Sequence, residues 1–171
     1  MNWLKKGLLY EPTGEKHALT HGFVPTPDLI NEKLLRIYFS TRDKNFISRI
    51  TYLDITPSQM KIKYLNINPV LDVGDFSCFD ENGVVPSCLI NIDDKKLLYY
   101  FGWQKTYSNG YMLLCGLAIS DDNGRSFKRY SKTPLLERTS NEPFLRSTVS
   151  VINDNNIFRM WYSSGISWTK F

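Results

Sequence analysis

Three carboxylates stand where acid–base chemistry could be organised. Asp80, in Phe79-Asp80-Glu81, and Glu142, in Asn141-Glu142-Pro143, each lie a few residues ahead of a strand-forming run. Asp28 follows Pro27 inside a third such run. Two carboxylates about 5–10 Å apart, one protonated and one ionised, are what cleavage of an acetal such as a glycosidic bond requires. The ring of Phe79 beside Asp80 is the kind of apolar neighbour that keeps a carboxyl protonated for use as an acid. The alternative for Asp80 is a turn residue ahead of Gly83, and for Glu142 a plain loop charge.

Around these carboxylates stand groups suited to holding a polyol or an anion. Arg42-Asp43 offers a guanidinium beside a carboxylate, which grips hydroxyls or a phosphate in two-pronged fashion and is equally suited to a structural ion pair. Arg146 is a second anion-holding candidate. His21 precedes the first strand-forming run, and Ser87 lies within the second. Trp103 and Trp168 follow strand-like segments, where each would stack on a pyranose face or pack in a core. With only His17 and His21 present, a multi-histidine metal site is nearly excluded, and no metal or other cofactor is expected.

Composition excludes several classes. The 171 residues carry 21 Lys and Arg against 17 Asp and Glu, a net charge of +4, too mild and too scattered for a nucleic-acid partner. No glycine-rich phosphate loop occurs. Hydrophobic residues make up 42%, as a globular chain requires. No apolar run approaches the roughly 20 residues needed to span a bilayer. Met1 to Gly7 has no apolar core of signal-peptide length, and the three cysteines form no CxxC pair. A reducing, cytoplasmic setting is therefore expected. The 10 Phe, 10 Tyr and 4 Trp favour strands.

Internal repetition names the elements that must position these groups. Gly22-Phe23-Val24-Pro25-Thr26 recurs as Gly83-Val84-Val85-Pro86-Ser87, 61 residues later. Tyr38-Phe39-Ser40 recurs as Tyr100-Phe101-Gly102, and more loosely as Trp161-Tyr162-Ser163. Pro69-Val70-Leu71 is echoed by Pro134-Leu135-Leu136. A period of about 60 residues with several strands per unit predicts an all-β chain built of β-propeller blades. Each unit reads as four strands: 24–30, 34–40, 47–55 and 61–71 in the first, and 84–92, 97–103, 111–120 and 127–136 in the second. The units span about 21–71, 80–136 and 142–171 of a single incomplete domain, with 1–20 an outer strand, from Trp3 to Leu9, and lead-in. No segment carries a capped 3.6-residue apolar period, so helix should be scarce. Two and a half units do not close a ring, so the missing blades are expected from the rest of a longer protein or from a partner chain.

Between the third and fourth strands of the second unit, Ser120-Asp121-Asp122-Asn123-Gly124-Arg125-Ser126-Phe127 fits the Asp-box pattern S-x-D-x-G-x-S-[FW]. Asp122 there reads as a turn residue and not a catalyst. Several motifs together resemble the five-bladed β-propeller glycosidases of the arabinanase, levansucrase and invertase superfamily. They are Arg36-Ile37-Tyr38-Phe39-Ser40-Thr41-Arg42-Asp43, Pro69-Val70-Leu71, Phe79 to Ser87, Tyr99-Tyr100-Phe101-Gly102-Trp103, Gly116-Leu117-Ala118-Ile119-Ser120 with the Asp box, and Met160-Trp161-Tyr162. The chain is also similar to the mannosyl-glycan phosphorylases and to glycosidase-like proteins found with bacterial surface-polysaccharide genes. In each case the likeness is to the N-terminal part.

The resemblance implies a carbohydrate-active protein, a glycoside hydrolase or phosphorylase acting on an oligosaccharide or surface glycan. Asp80, Glu142 and Asp28 would be the catalytic candidates at the mouth of a central funnel. There are departures from the pattern. Where invertase-type members carry a nucleophilic aspartate in an Asn-Asp-Pro context, this chain has His21-Gly22-Phe23-Val24-Pro25. The superfamily's usual acid, a fourth-blade glutamate, has no counterpart here. A non-catalytic glycan-binding propeller and a structural propeller fragment remain the alternatives.

Overall fold

The computed structural model describes residues 2–12, 14–107 and 110–167, and among these every regular element is a strand. β1 (Thr20–Asn31), β2 (Leu34–Arg42), β3 (Ser48–Thr56) and β4 (Lys61–Leu65) form one antiparallel sheet in that order. They are called unit 1 here. β5 (Val84–Ile92), β6 (Lys95–Thr106), β7 (Gly110–Ser120) and the two-residue β8 (Lys128–Arg129) make unit 2. β9 (Leu145–Asp154) and β10 (Ile157–Gly165) make unit 3. Units 2 and 3 join in a six-stranded path, β10-β9-β7-β6-β5 with β8 also on β7, through a single parallel bridge between Leu114 and Arg146.

Strand periodicity explains the packing. Successive side chains of a strand point to opposite faces. On β2, Tyr38 faces unit 2 in a core with Ile50, Val84 and Phe127, while Phe39 faces away with Leu53 and Ile55. On β6, Tyr99 faces unit 3 with Cys115, Val149 and Val151, while Tyr100 faces back into the core shared with unit 1. By face, then, Tyr38 corresponds to Tyr99 and not to Tyr100, the partner that sequence matching suggests. The sequence match is one residue out of register, and a one-residue shift exchanges the two faces of a strand.

Two further expectations change. Residues 2–12 form no strand. Leu9 and Tyr10 pack on the outer face of unit 1, and Trp3, Leu4 and Leu8 are exposed. The fourth strands are also shorter than expected. Pro69 and Pro134 cannot donate to a ladder, so pairing lapses before them. It resumes just beyond, where Val70 N donates to Ile50 O (2.8 Å) and Leu135 N donates to Cys115 O (2.7 Å).

The turn after β7 locks unit 2 to unit 1. Asp122 Oδ1 accepts the backbone N–H of Arg125 (2.9 Å) and Ser126 (3.0 Å), and its Oδ2 accepts Ser126 Oγ–H (2.6 Å). Gly124, at φ +77°, lies where a Cβ would meet the Tyr38 hydroxyl. That hydroxyl donates to Gly124 O (2.9 Å), and Arg36 Nη1 donates to Asn123 O (3.0 Å).

Candidate functional site

One transverse row of backbone pairing carries most of the candidate residues to the same end of the strands. Thr20 pairs with Arg42, and Arg42 with Ser48. Ser48 bridges Gly83, whose carbonyl accepts the N–H of Trp103 (2.9 Å). Trp103 pairs with Leu113, the neighbouring Leu114 bridges Arg146, and Arg146 pairs with Ser164. His21, Arg42, Asp43, Trp103 and Arg146 thus lie on or beside one rim, although they come from all three units. β1 is irregular where it leaves this rim. Its register shifts on either side of Phe23, and His21 and Val24 adopt φ 64° and 52°, a costly backbone for a β-branched residue such as Val24.

A chain of charges leads from the rim of unit 1 away into unit 2. Asp43 Oδ2 pairs with Arg49 Nη1 (2.7 Å), and Arg49 Nε with Asp72 Oδ1 (2.7 Å). Arg129 Nη2 donates to the Asp72 carbonyl, and Arg129 Nε pairs with Asp80 Oδ2 (2.8 Å). Partial burial opposes ionisation of Asp43, but the Arg49 guanidinium and the Asn45 and Ile47 amides outweigh it and hold the carboxyl below its usual range. Arg49, Asp72 and Arg129 escape a sequence reading because no local pattern links them to their partners.

Asp80 departs from the expectation of an acid open to the funnel. It is 0% exposed, and besides Arg129 it accepts the Tyr100 hydroxyl (2.9 Å). The loop at Gly74 and the strand at Gly102 close over it. A Cβ on Gly102 would lie 2.4 Å from Asp80 Cβ, and one on Gly74 would lie 2.0 Å from Asp80 Oδ1. Burial first, and the adjacent Asp80 charge second, push the Tyr100 phenol well above its ordinary value. Asp28 is likewise buried and not open to a funnel. Its Oδ2 pairs with Lys96 Nζ (2.7 Å) and its Oδ1 accepts Asn91 Nδ2–H (3.0 Å), joining β1 to unit 2.

Glu142 is the accessible member of the three. Tyr162 OH donates to it (3.1 Å), and Arg146 Nε lies 3.0 Å away. A hydrogen bond from Ser164, then the Tyr162 hydroxyl and the Arg146 charge, hold Glu142 below its usual range. Ser87 has a structural role. Its Oγ donates to Val149 O and accepts Val149 N–H, both at 2.8 Å, tying β5 to β9. Trp103 packs edge-on against Tyr111 (5.0 Å), and its buried Nε1–H has no partner among the described residues. Arg42 lies over the Phe23 ring (5.1 Å), and its buried Nε–H is also without a partner among the described residues. His21 Nδ1 is 2.8 Å from Thr20 Oγ1. Trp168 lies outside the described residues.

Among the described residues no cluster of His, Cys, Asp and Glu could hold a metal ion, and no helix is long and apolar enough to cross a membrane. Burial pushes the Cys115 thiol up to about 12, so it is an inert core group.

No family model matches the chain. Two uncharacterized proteins from two strains of Mycobacterium tuberculosis are each 34% identical to it over 171 residues, which cover 98% of this chain and 56% of theirs. The chain thus spans about half the length of these curated relatives. Among solved structures, a glycoside hydrolase superposes with a TM-score of 0.63 at 10% identity, covering 92% of this chain and 46% of its own. A family 117 glycoside hydrolase of the marine bacterium Zobellia galactanivorans gives 0.58 at 18% identity, covering 92% and 47%. A glycosyl hydrolase from Bacteroides ovatus gives 0.53 at 18% identity, covering 66% and 31%. The chain shares its all-β fold with these glycoside hydrolases.

Proposed function

We propose that this chain is part of a carbohydrate-active five-bladed β-propeller, with units at about 21–71, 80–136 and 142–171 as blades, and that its rim binds an oligosaccharide or surface glycan. The observation that carries this reading is the single row that gathers Arg42, Trp103 and Arg146, with Asp43 and Glu142 beside them, in a fold shared with glycoside hydrolases. Guanidinium–carboxylate pairs alternating with aromatic rings offer donors, acceptors and a stacking face together, the combination a sugar ring needs. The buried N–H groups of Arg42 and Trp103 have no partner among the described residues, so each holds an unused donor beside the rim.

Within this reading Glu142 is the reacting carboxylate that this chain exposes, while Asp80 fixes Arg129. Hydrolysis or phosphorolysis needs a second accessible carboxylate or a phosphate, supplied by blades from the rest of a longer protein or from a partner chain. The burial of Asp80 and Asp28 favours glycan binding without cleavage for these 171 residues alone. The test is incubation with arabinan, levan and mannan oligosaccharides, with and without phosphate. Binding, new reducing ends and sugar phosphates would each be measured. Binding weakened by Arg42→Ala, with no cleavage by the isolated chain, is expected. Full binding by Arg42→Ala and Glu142→Gln together would contradict the rim assignment.

A further inference from the structure

Unit 2 is the unit flanked on both sides, by β1–β4 and by β9–β10. An opening on its own surface is bounded by segments of the chain itself. Such an opening, a cleft of about 350 Å³, lies between the loop that leads into β5 and the segment that follows β8. Gly74, Asp75 and Cys78 form one wall, and Arg129 to Lys132 the other. None of these residues belongs to the rim row. The volume falls in the range of small-ligand sites.

The lining has a fixed centre and an apolar margin. Arg129 is held by two partners, Asp80 Oδ2 through Nε and the Asp72 carbonyl through Nη2. The side chain is 22% exposed. Lys132 Nζ lies 2.6 Å from Asp75 Oδ2. Each cation in the cleft already faces a carboxylate, so the cleft presents donors and acceptors without net positive charge. That suits vicinal hydroxyls better than a phosphate or a sugar acid. Tyr130 on the lining is 66% exposed, and Phe76, next in the chain to Asp75, is 93% exposed. A large aromatic ring left in water beside a guanidinium held by two partners, as Tyr130 is beside Arg129, marks a binding surface.

We propose that this cleft is a second carbohydrate site, separate from the rim, which takes one or two pyranose rings of a neutral glycan. Tyr130 and Phe76 supply stacking faces. Arg129, Ser131 and the Asp75–Lys132 pair supply hydrogen bonds to hydroxyls. The inference rests on the carbohydrate reading above but uses different residues, so the two can fail separately. A protein with a flank site and a rim site would hold one polysaccharide at two points, raising its effective concentration at the rim.

Native affinity electrophoresis of the chain in gels containing arabinan, levan or yeast mannan tests this, with the variants Tyr130→Ala, Phe76→Ala and Arg42→Ala. Both aromatics are surface residues, and unchanged melting curves would show that their variants fold. In at least one gel, Tyr130→Ala and Phe76→Ala should each weaken retardation by about tenfold, beyond any loss in Arg42→Ala. Wild-type retardation in both aromatic variants, with loss in Arg42→Ala, would overturn the cleft and leave the rim standing. A wild-type chain that no polysaccharide retards would overturn both.

Discussion

Asp80 and Asp122 are both aspartates in turns, and their surroundings give them opposite characters. Asp122 lies at the surface, where partial burial opposes ionisation. Hydrogen bonds from the Ser126 and Ser120 hydroxyls and from the Ser126 and Arg125 amides outweigh that and hold its carboxyl at about 2. Because this folded-state value lies below that of an unfolded aspartate, the turn's contribution is present above pH 4. It is lost as pH falls towards 2. The melting temperature of wild type should therefore exceed that of Asp122→Ala by the equivalent of about 1–2 kcal/mol at pH 7, and the gap should narrow between pH 4 and pH 2. A gap that stays constant across that range would contradict the assignment. Asp80 is sealed beneath Gly74 and Gly102 with Arg129 as its counter-ion. Asp80→Asn leaves that guanidinium without its charge partner and should cost about 2–4 kcal/mol in denaturant unfolding. A destabilisation below about 0.5 kcal/mol would show that the ion pair does not organise the loop.

At the scale of the elements, close approach of backbones decides what is tolerated. Gly102 sits in the middle of β6 with Asp80 Cα 2.8 Å from where a Cβ would be. Gly102→Ala should therefore destabilise by about 2 kcal/mol or more, whereas alanine at an exposed residue such as Tyr130 should be near neutral. Equal stability of Gly102→Ala and wild type would contradict the packing of that loop. The strands that open units 1 and 2 were legible in the sequence to within a few residues, because Gly-x-x-Pro entries and alternating apolar runs mark them. The single-residue register of Tyr38 against Tyr99 was not legible, since β6 holds Tyr99-Tyr100-Phe101 and any of the three aromatics matches by type. The length of the fourth strands was obscured by Pro69 and Pro134. The rim candidates Arg42, Trp103 and Arg146 were legible because they follow from strand ends. The burial of Asp80 and Asp28 was not, because their partners Arg129 and Lys96 are 49 and 68 residues away and no short-range pattern announces them.

At the scale of the molecule, the described residues form an array with one unit flanked on both sides and two units flanked on one. β10 is an edge strand whose Ile157, Phe158 and Trp161 are exposed, an arrangement that invites pairing with further chain. In the isolated chain, amides of residues 157–165 should exchange with deuterium much faster than those of 95–106, which lie between two paired strands. Equal protection would mean that the β10 edge is covered in solution by another copy.

The proposal that the rim binds glycan is tested most directly by a chemical-shift titration of the isotope-labelled chain with arabinan, levan and mannan oligosaccharides. The rim row lies at one end of the strands and the β7–β8 turn at the other. Saturable shifts should appear at the amides of His21, Arg42, Asp43, Trp103, Glu142 and Arg146, with Asp121 to Ser126 unmoved. No shift with any of the three glycans, or shifts confined to the turn around Asp122, would contradict a rim that reads carbohydrate.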